Sequence, residues 1–520
     1  MSTVEVRFWA ATDVGRTRDH NEDNFLVDKK LNLFIVADGM GGHAAGEVAS
    51  SVAVREVRRI ISEERQAVEG FVEADSVETR RAVLDLIDRA IRGACARVFQ
   101  MAQESPERRG MGTTLSMLLV AGRRGFIGHV GDSRIYLLRT GQVHQLTEDH
   151  SLINELIKRG RLKPGDAFDS PYRNAVTRAV GVYETVEVDT FDFDVLPEDS
   201  YLLCSDGLSG YLDEDGDHIT ADALSMDDVK AIPESLIRYA NESGGKDNIT
   251  AIVVRTLAAD EDEGRRRAAE VKLRLDTLRS VPLFRYLGYK GLVKIHNLVE
   301  LRSFDADEVL FAEGSRGDAL FVVLDGRVVV SQAGQRLTEV GPGGHLGELA
   351  LVEKAPRQIT ARALERTRTL VLRREPLFEA MSADARLSMK VLWAIVQGVL
   401  GRLHVTRAEL NASWRALDQL RRAPSATVEM PMLAPELLAA GALPVDVTDE
   451  LVPGFLFQES EAEGTDPLLR PDSRLPAVVE DPDAPDEALA LTSQPPRAGA
   501  PAALAERVTL TELDPDDDDG

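Results

Sequence analysis

The stretch VADGMGGHAAG, residues 36–46, ends an apolar run at Asp38 and then places three glycines within four positions. An Asp-Gly pair at the end of a strand is most simply a turn, because aspartate offers a short polar acceptor and glycine tolerates positive φ. The same pattern recurs in GFIGHVGDS at Asp132 and in SYLLCSDGL at Asp206, and in DNITAIVVR an apolar run begins just after Asp247. The recurrence favours a shared purpose for these four aspartates over four unrelated turns.

These four aspartates are expected at one edge of a sheet. If the last strand runs antiparallel to its neighbours, its start lies on the rim where theirs end. Carboxylates a few ångströms apart repel strongly unless a positive charge lies between them. Carboxylates, a backbone carbonyl and water suit Mg²⁺ or Mn²⁺ better than zinc. The pattern therefore predicts a site for divalent cations.

The segment TRDHNEDN, residues 17–24, adds groups suited to phosphate chemistry. Glu22 and Asp23 offer further acids around a metal site, and the Arg18 guanidinium can hold a phosphate through two hydrogen bonds. Taken singly, each motif is also typical of a solvated turn or a helix cap. Their combination favours metal-assisted phosphoryl chemistry.

Residues 5–256 resemble the type 2C metal-dependent protein serine/threonine phosphatases, the PPM family, in its bacterial form. The motifs that carry the resemblance follow the family's order and spacing: DVGRTRDHNEDN, VADGMGGH, RGMGTTL, HVGDSRIYLLRTG, LTEDHSLINELIKRG, RNAVTRAVG, LLCSDGL and GKDNITAIVV. The resemblance implies an α/β/β/α sandwich. It also implies hydrolysis of phosphoserine and phosphothreonine in proteins that are targets of a serine/threonine kinase.

The resemblance further implies a ligand set for two ions, Mn²⁺ or Mg²⁺. Asp38 would bridge the two ions, the Gly39 carbonyl would bind one of them, and Asp206 and Asp247 would bind the other. Asp132, together with Asp206, would form the third metal site typical of bacterial members. In this family two cations generate a bridging hydroxide at neutral pH, which attacks the phosphoryl group in line without a covalent enzyme intermediate.

The remaining roles implied by the resemblance surround these ions. Glu22 and Asp23 would hold metal-bound waters, and Arg18 would bind the substrate phosphate. Eukaryotic members often place a histidine, a proposed general acid, where this chain has Met40. His43 is close in sequence and is our candidate for substrate contact or proton donation. A histidine in a glycine-rich loop is equally typical of polar surface, so this role stays open.

A second pattern begins after residue 280, where short alternating strands with glycine-containing turns precede helices, which predicts a small β-roll. The segment GELALVEKAPR, residues 347–357, groups backbone N–H groups, a glutamate and an arginine, which suits a cyclic phosphate and a ribose hydroxyl. Residues 281–405 resemble the cyclic-nucleotide-binding domain family. By this resemblance the nucleotide contacts are Gly347, Glu348, Leu349, Ala350 and Arg357, with Glu348 at the ribose and Arg357 at the phosphate.

One residue beside this segment departs from the family. Gln358 stands where well-known binders carry alanine, threonine or serine. The choice between cAMP and cGMP therefore stays open, and a ligand-free scaffold is the alternative for this region.

Length and charge predict how the chain is divided. A chain of 520 residues exceeds one ordinary core. We divide it into a phosphatase domain (1–257), a linker helix (258–280), a cyclic-nucleotide-binding-like domain with a C-terminal helix (281–422) and an acidic tail (423–520). The tail holds 22 acidic residues, four arginines and no lysine, a composition typical of disorder. The predicted fold class is α+β, a sandwich followed by a β-roll with flanking helices and a disordered tail.

Composition also limits the compartment and the partners. Two cysteines, Cys95 and Cys204, argue against a disulfide framework and fit a reducing compartment. The sequence has neither a signal-peptide pattern nor an apolar run long enough to span a bilayer. We expect a cytoplasmic protein that acts on phosphoproteins, binds a cyclic nucleotide, and has no nucleic-acid or membrane partner.

Between residues 387 and 420, apolar residues recur every seven positions, at Val396, Leu403, Leu410 and Leu417. This heptad stripe suits either the core packing of a terminal helix or a homodimer seam. We favour core packing, because polar residues interrupt the second heptad position.

Two other functions remain open. The phosphatase fold could serve as a noncatalytic scaffold that binds phosphoproteins, with the acidic tail recruiting basic partners. Alternatively, the enzyme could be active while its second domain serves only oligomerisation. Loss of a metal-binding aspartate would favour the first alternative, and a ligand-binding measurement decides the second.

Overall fold

The computed structural model describes residues 4–41, 45–162, 175–215, 217–258 and 260–422. The proposed proton donor His43 and the predicted tail, residues 423–520, lie outside the described residues.

The N-terminal region contains twelve strands and seven helices among its described residues. The strands are β1 (Glu5–Asp13), β2 (Asn24–Asp28), β3 (Leu33–Ala37), β4 (Gly39–Met40), β5 (Gly112–Thr113), β6 (Leu115–Ala121), β7 (Arg124–Val130), β8 (Arg134–Arg139), β9 (Gln142–Gln145), β10 (Asp189–Asp194), β11 (Ser200–Cys204) and β12 (Ile249–Leu257). The helices are α1 (Ala45–Glu63), α2 (Gln66–Glu73), α3 (Val77–Glu104), α4 (Leu152–Lys158), α5 (Asp206–Asp215), α6 (Asp217–Leu224) and α7 (Ala231–Glu242).

Two antiparallel five-stranded sheets form a sandwich in this region, with strand orders β1-β12-β11-β8-β9 and β10-β7-β6-β3-β2. Side chains alternate between the two faces of a strand, and β3 is buried on both faces. Leu33 and Ile35 pack in the core formed with α1 and α3, whereas Phe34 and Val36 pack in the core between the sheets. Helices α5 to α7 pack in a third core against the other sheet. The predicted α/β/β/α sandwich is confirmed.

The four strand-end aspartates do not belong to one sheet. β3 and β7, which precede Asp38 and Asp132, lie in one sheet, while β11 and β12, which border Asp206 and Asp247, lie in the other. β12 is antiparallel to both of its neighbours, as the sequence argument required. The expectation of a single sheet edge was therefore wrong. The region around Asp38, Asp132, Asp206 and Asp247, which we call the rim, is formed by the ends of two packed sheets.

The C-terminal region begins with α8 (Glu261–Ser280), which a 3-10 helix (Pro282–Phe284) connects to α9 (Tyr289–Leu298). Its strands are β13 (Val299–Phe304), β14 (Val309–Phe311), β15 (Ala319–Asp325), β16 (Val328–Gln332), β17 (Gln335–Val340), β18 (His345–Leu346), β19 (Thr360–Ala363) and β20 (Thr367–Arg373). Its remaining helices are α10 (Leu349–Val352), α11 (Arg374–Ala383) and α12 (Ala385–Arg422). The strands form two four-stranded sheets, in orders β13-β20-β15-β18 and β14-β19-β16-β17. The predicted β-roll with flanking helices is confirmed.

Helix α12 corrects our interpretation of the heptad stripe. Near its start, Leu387, Val391 and Ala394 are buried in the core that α8, α9 and α11 share. The stripe itself is exposed to solvent: Val396 by 47%, Leu403 by 59%, Leu410 by 56% and Leu417 by 45%. Core packing is therefore the wrong explanation for these residues. Within the described part of the chain, no helix has both the length and the apolar character needed to cross a membrane.

Candidate functional site

Asp38 follows the end of β3, and its backbone is fixed by two threonines that precede β6. The Asp38 N–H donates to Thr114 Oγ1 (2.9 Å), and the Asp38 carbonyl accepts from the Thr114 N–H (2.9 Å) and from Thr113 Oγ1 (2.8 Å). The RGMGTTL motif therefore holds the first aspartate of the rim in place.

Gly39 lies where two backbone segments meet. Its N–H donates to the Glu22 carbonyl at 3.1 Å. A Cβ atom on Gly39 would lie 2.3 Å from the Gly46 carbonyl oxygen and 2.5 Å from that of Glu22. Since backbone cannot move aside cheaply, only glycine fits between α1 and the segment that carries Glu22.

Asp23 is buried beneath the rim and accepts two hydroxyl hydrogen bonds. Ser205 Oγ and Thr250 Oγ1 each donate to its Oδ2 at 2.7 Å. Burial, together with repulsion from Asp206 and Asp247, raises the pKa of Asp23 to about 7 even though the two hydroxyl groups act in the opposite direction. The two hydroxyls come from the strand ends of the other sheet and join the two halves of the rim.

The three rim aspartates Asp38, Asp132 and Asp206 are buried together and disfavour one another's charge. Burial raises the pKa of Asp38 well above its usual value, and repulsion from Asp23, Asp206 and Asp132 raises it further. Burial likewise raises the pKa of Asp132 and of Asp206, each beside a second carboxylate. A site of this kind favours a positive ligand.

Arg18 and Asp247 form an ion pair at the mouth of the rim. Arg18 Nη2 lies 2.8 Å from Asp247 Oδ2, and the Arg18 side chain is 47% exposed. Burial would lower the pKa of the Arg18 guanidinium, but the carboxylates of Asp247, Glu22 and Asp38 raise it above its usual value. The guanidinium is thus charged, partly accessible and beside the acids, where a phosphate could reach it.

Asn248 is a residue of the site that the sequence analysis missed. Its Nδ2 donates to the carbonyls of Val14 (3.0 Å) and His20 (2.9 Å), and its Oδ1 accepts from the Glu22 N–H at 2.8 Å. Because Asn248 directly follows Asp247, these bonds hold the segment that carries Arg18 and Glu22 next to Asp247. The sequence placed Asp247 at the metal site and gave Asn248 no role, because nothing local indicates contacts more than 200 residues away.

Several buried carboxylate oxygens of the rim lack a hydrogen-bond partner. Glu22 Oε1, Asp23 Oδ1 and Asp206 Oδ1 are buried and have no hydrogen-bond partner. Among the described residues, no three His, Cys, Asp or Glu side chains already stand together at metal-ligand spacing. Buried unpaired carboxylate oxygens are costly, and hard cations prefer this type of ligand. The residues present fit Mg²⁺ or Mn²⁺.

Behind Asp132, His150 holds the residue that precedes it. The His150 N–H donates to the Gly131 carbonyl (2.8 Å), and the Gly131 N–H donates to His150 Nδ1 (3.1 Å). His150 Nε2 lies 3.5 Å from Asp189 Oδ1. The neighbouring His129 is buried, and its Nε2 lies 3.0 Å from the Glu148 carbonyl. The sequence analysis did not single out these histidines, because a buried histidine without a metal-ligand spacing carries no distinct pattern.

In the C-terminal region, Arg357 is buried in the β-roll. Its Nη2 donates to the Ala319 carbonyl at 2.7 Å, and its guanidinium lies 4.2 Å from the centre of the Phe311 ring. Its Nε is buried without a hydrogen-bond partner. Burial lowers the pKa of Arg357, although Asp318 and Glu348 act in the opposite direction.

Two glycines make room for this arginine. A Cβ on Gly347 would lie 2.1 Å from Arg357 Nη1, and a Cβ on Gly317 would lie 2.7 Å from Arg357 Nε. Gly347 also has a φ of +83°, which favours glycine. The Arg357 Nε has no hydrogen-bond partner, and burial lowers the pKa of Arg357 despite Asp318 and Glu348, so its charge suits an anionic ligand.

The other predicted nucleotide contacts lie around the short helix α10. Glu348 precedes it, Leu349 begins it and is 45% exposed, and Ala350 is buried. The Ala350 N–H donates to the Gly347 carbonyl at 3.1 Å. The structure therefore places the other four predicted residues, 347–350, in one segment that reaches Arg357 at Gly347.

Two family models match this chain. The model for protein phosphatase 2C matches residues 15–253, and the model for the cyclic nucleotide-binding domain matches residues 301–384.

Relatives and solved structures are similar to the N-terminal half. The serine/threonine phosphatase stp of Listeria welshimeri is 40% identical over 253 residues, which cover 47% of this chain and 93% of that protein. The protein phosphatase PhpP of Streptococcus pneumoniae is 37% identical over 250 residues, covering 47% of this chain and 94% of PhpP. The crystal structure of the catalytic domain of the phosphatase PstP, in complex with two manganese ions, is 33% identical and covers 49% of this chain and 100% of that one, with a TM-score of 0.42.

Proposed function

Because the chain belongs to the protein phosphatase 2C family of serine/threonine phosphatases, we propose that it dephosphorylates phosphoserine and phosphothreonine in proteins, with Mn²⁺ or Mg²⁺ bound at the rim. The observation that carries this proposal is the set of buried, unpaired carboxylate oxygens on Glu22, Asp23 and Asp206. A scaffold that only bound phosphate would have no use for so many buried acids, since carboxylates repel phosphate.

The proposed metal ligands are the residues that the rim gathers. They are Asp38, the Gly39 carbonyl, Asp132, Asp206 and Asp247, with Glu22 and Asp23 around them. A divalent cation bound there lowers the pKa of water and offsets charge on a phosphoryl group. We propose that the rim binds two such ions and a third beside Asp132.

The chain's own residues orient the substrate. Arg18 is half exposed and charged beside the acids, and we assign it the substrate phosphate. Its pairing with Asp247 holds the guanidinium at the mouth of the rim until a phosphate competes for it. His43 remains our candidate for substrate contact or for donating a proton to the leaving group, since Met40 cannot do so.

We assign regulation of the phosphatase to a cyclic nucleotide bound in the β-roll. The buried Arg357, with an unpaired Nε, supports an anionic ligand there. The proposed contacts are Gly347, Glu348, Leu349, Ala350 and Arg357. The proposed division of the chain, at residues 257, 280 and 422, makes α8 the connection between the two functions.

One experiment tests both domains. The full chain would be assayed on a phosphothreonine peptide and an aryl phosphate with Mn²⁺, with Mg²⁺ and with a chelator, each with and without cAMP, cGMP or a cyclic dinucleotide. We expect turnover that depends on the metal and changes with at least one nucleotide. Binding of the phosphopeptide without turnover would favour the scaffold instead. Turnover without any nucleotide effect would leave the second domain as an oligomerisation module.

We further propose a homodimer that pairs α12 with α12 of a second copy. Nine large apolar side chains on this helix are between 42% and 59% exposed: Met389, Leu392, Val396, Val399, Leu400, Leu403, Leu410, Trp414 and Leu417. Seven of them fall on a heptad repeat, which is self-complementary between two helices. Their exposed area is on the order of the 800 Å² per partner that a standard interface buries.

The homodimer is tested by analytical ultracentrifugation. Wild-type protein should sediment as a dimer at micromolar concentration, and Leu403→Glu with Leu410→Glu should sediment as a monomer with unchanged circular dichroism. The control is Arg415→Glu, on the same helix. A wild-type monomer would exclude the seam.

A further inference from the structure

The segment between β9 and α4, residues 146–151, supports the strand that leads to Asp132. His150 bonds both backbone groups of Gly131, at 2.8 and 3.1 Å. Two positions before Gly131, in β7, His129 Nε2 lies 3.0 Å from the Glu148 carbonyl. A displacement of residues 148–150 therefore displaces the backbone that precedes Asp132.

The side chain of Glu148 faces two cations, one from each region of the chain. Lys158 Nζ, at the end of α4, lies 2.9 Å from Glu148 Oε1. The second cation is the guanidinium of Arg386, in the first turn of α12, which forms an ion pair with the same carboxylate oxygen. Through Glu148, the C-terminal region thus contacts the segment 146–151, which holds the backbone before Asp132.

Arg386 is held in position by its own region. The Asp384 carboxylate caps α12 by accepting from the N–H groups of Arg386 and Leu387, each at 3.0 Å. Asp384 Oδ2 also lies 2.6 Å from Lys294 Nζ of α9. The start of α12 is therefore fixed against α9 and presents Arg386 to Glu148.

The start of α12 is also connected to the segment that holds the predicted nucleotide contacts. Arg374, the first residue of α11, donates from Nη1 to the Val352 carbonyl at the end of α10 (2.9 Å). Leu351 of α10, Leu377 of α11 and Leu387 of α12 are buried in one apolar core. Packed cores transmit displacement rather than absorb it. The path from α10 to Arg386 is continuous through α11.

We propose that Arg386 is a positioning residue of the phosphatase, which acts through Glu148 on the Gly131–Asp132 backbone and thereby connects α10 to the catalytic rim. The inference rests on the proposed function for its effect on catalysis, and on the contacts alone for its effect on residues 146–158.

The Arg386–Glu148 ion pair is weak enough for Glu148 to exchange it for another contact. Arg386 is 39% exposed and Glu148 is 29% exposed, so water screens the pair and its contribution to stability is small. Lys158 competes for the same oxygen. A modest displacement of α12 can therefore change which cation Glu148 contacts, which is the requirement for one state to be favoured over another.

The test is a charge exchange in the full chain. The variants are Arg386→Glu, Glu148→Arg and the double variant, with Arg415→Glu as a matched control for the charge change on α12. The first readout, which needs neither metal nor substrate, is amide hydrogen exchange of residues 146–158. The second is kcat and KM on the phosphothreonine peptide.

We expect Arg386→Glu to speed exchange in residues 146–158 at least threefold and to lower kcat/KM three- to tenfold, while Arg415→Glu behaves as wild type. The double variant should recover most of both losses, because it restores the pair with reversed charges. The proposal is overturned if Arg386→Glu equals Arg415→Glu in both readouts, or if the double variant is no nearer to wild type than the worse single variant.

Failure of the proposed function gives a different result. A wild-type chain without turnover, or one that no cyclic nucleotide affects, contradicts the function proposed above, while the exchange readout still decides whether Arg386 positions residues 146–158. Where a nucleotide does change wild-type turnover, Arg386→Glu should bind it with unchanged affinity and lose at least half of the response.

Discussion

The acidic rim and the β-roll bury ionisable side chains of opposite sign. At the rim, Asp38, Asp132 and Asp206 are buried against one another, and carboxylate oxygens remain unpaired. In the β-roll, Arg357 is buried with an unpaired Nε. Buried charges without a counter-charge are costly, so each site indicates the sign of what it binds. The first calls for cations and the second for an anion.

A third buried charge cluster, between the two regions, provides the contrast. Asp194 lies 2.6 Å from Arg267, 3.5 Å from Arg124 and 3.7 Å from His296. Here both signs come from the chain itself, so the cluster needs no ligand and stabilises the fold.

The largest effect is expected at the rim. Asp206→Asn should lower kcat at least a thousandfold, because it removes an oxygen ligand from the proposed metals. The same variant should melt at a higher temperature than wild type in a chelator, since it relieves carboxylate repulsion. Activity assays and melting curves measure both, and Asp222→Asn, on the surface of α6, is the control. Full activity, or a lower melting temperature in the chelator, would contradict the comparison.

Removing a paired charge should have the opposite effect on stability. Asp194→Asn should lower the free energy of unfolding by about 3 kcal/mol, because it removes a buried carboxylate from Arg267 and Arg124, although Arg124 keeps its pair with Asp192. Burial would raise the pKa of Asp194, but Arg124, His296 and Arg267 hold it below its usual value. Such a carboxylate stabilises above the pKa of the unfolded chain, about 3.9, and that contribution is lost as the pH falls through the folded pKa. Urea unfolding at pH 7 and pH 3 should show a difference between variant and wild type that shrinks at the lower pH.

Arg18 should affect substrate binding more than chemistry. Arg18→Ala should raise KM for the phosphopeptide with little change in kcat, a loss of about 2 kcal/mol in kcat/KM for a charged hydrogen bond. Arg18→Lys should recover part of it. A change in the Mn²⁺ concentration needed for half-maximal activity, with KM constant, would instead assign Arg18 to the metal site.

In the β-roll, Arg357→Ala should weaken cyclic-nucleotide binding at least tenfold, equivalent to about 1.4 kcal/mol. Basal phosphatase activity should not change, since Arg357 does not contact the rim. Isothermal titration with cAMP and cGMP is the measurement, and Arg366→Ala, an exposed arginine before β20, is the control. Equal affinity in both variants would mean that the buried charge serves the fold alone.

The smallest effect is expected from the acidic segment after residue 422. Truncation there should leave the melting temperature, kcat and KM unchanged, because the removed residues carry little of the apolar pattern that forms a core. Loss of soluble protein on truncation would show that this segment contributes to folding.

Local patterns revealed the rim aspartates because each ends or begins an apolar strand. Asp38, Asp132, Asp206 and Asp247 could be grouped from sequence, and the resemblance supplied their roles. Their placement on two sheets could not be read, because strand order depends on contacts between distant segments. Arg357 was found in the same way, through one short motif.

The supporting contacts carried no local signal. Asn248 and His150 act through backbone groups that are far from them in sequence, and neither stands in a spacing typical of ligands. The heptad stripe on α12 was visible in the sequence, yet its exposure was not, since an apolar face reads the same whether it meets a core or a second chain.

The pairing of β1 with β12 has a consequence for how this chain could be rebuilt. Glu5 lies opposite Leu257 in the register of these strands, so the catalytic domain begins and ends at neighbouring points, about 5 Å apart as across any antiparallel pair. A domain with adjacent ends can be inserted into a loop of another protein, or its ends joined and new ones opened elsewhere, without stretching its sheets. Strand β12 therefore ends beside the start of β1, so α8 leaves the sandwich next to its first strand.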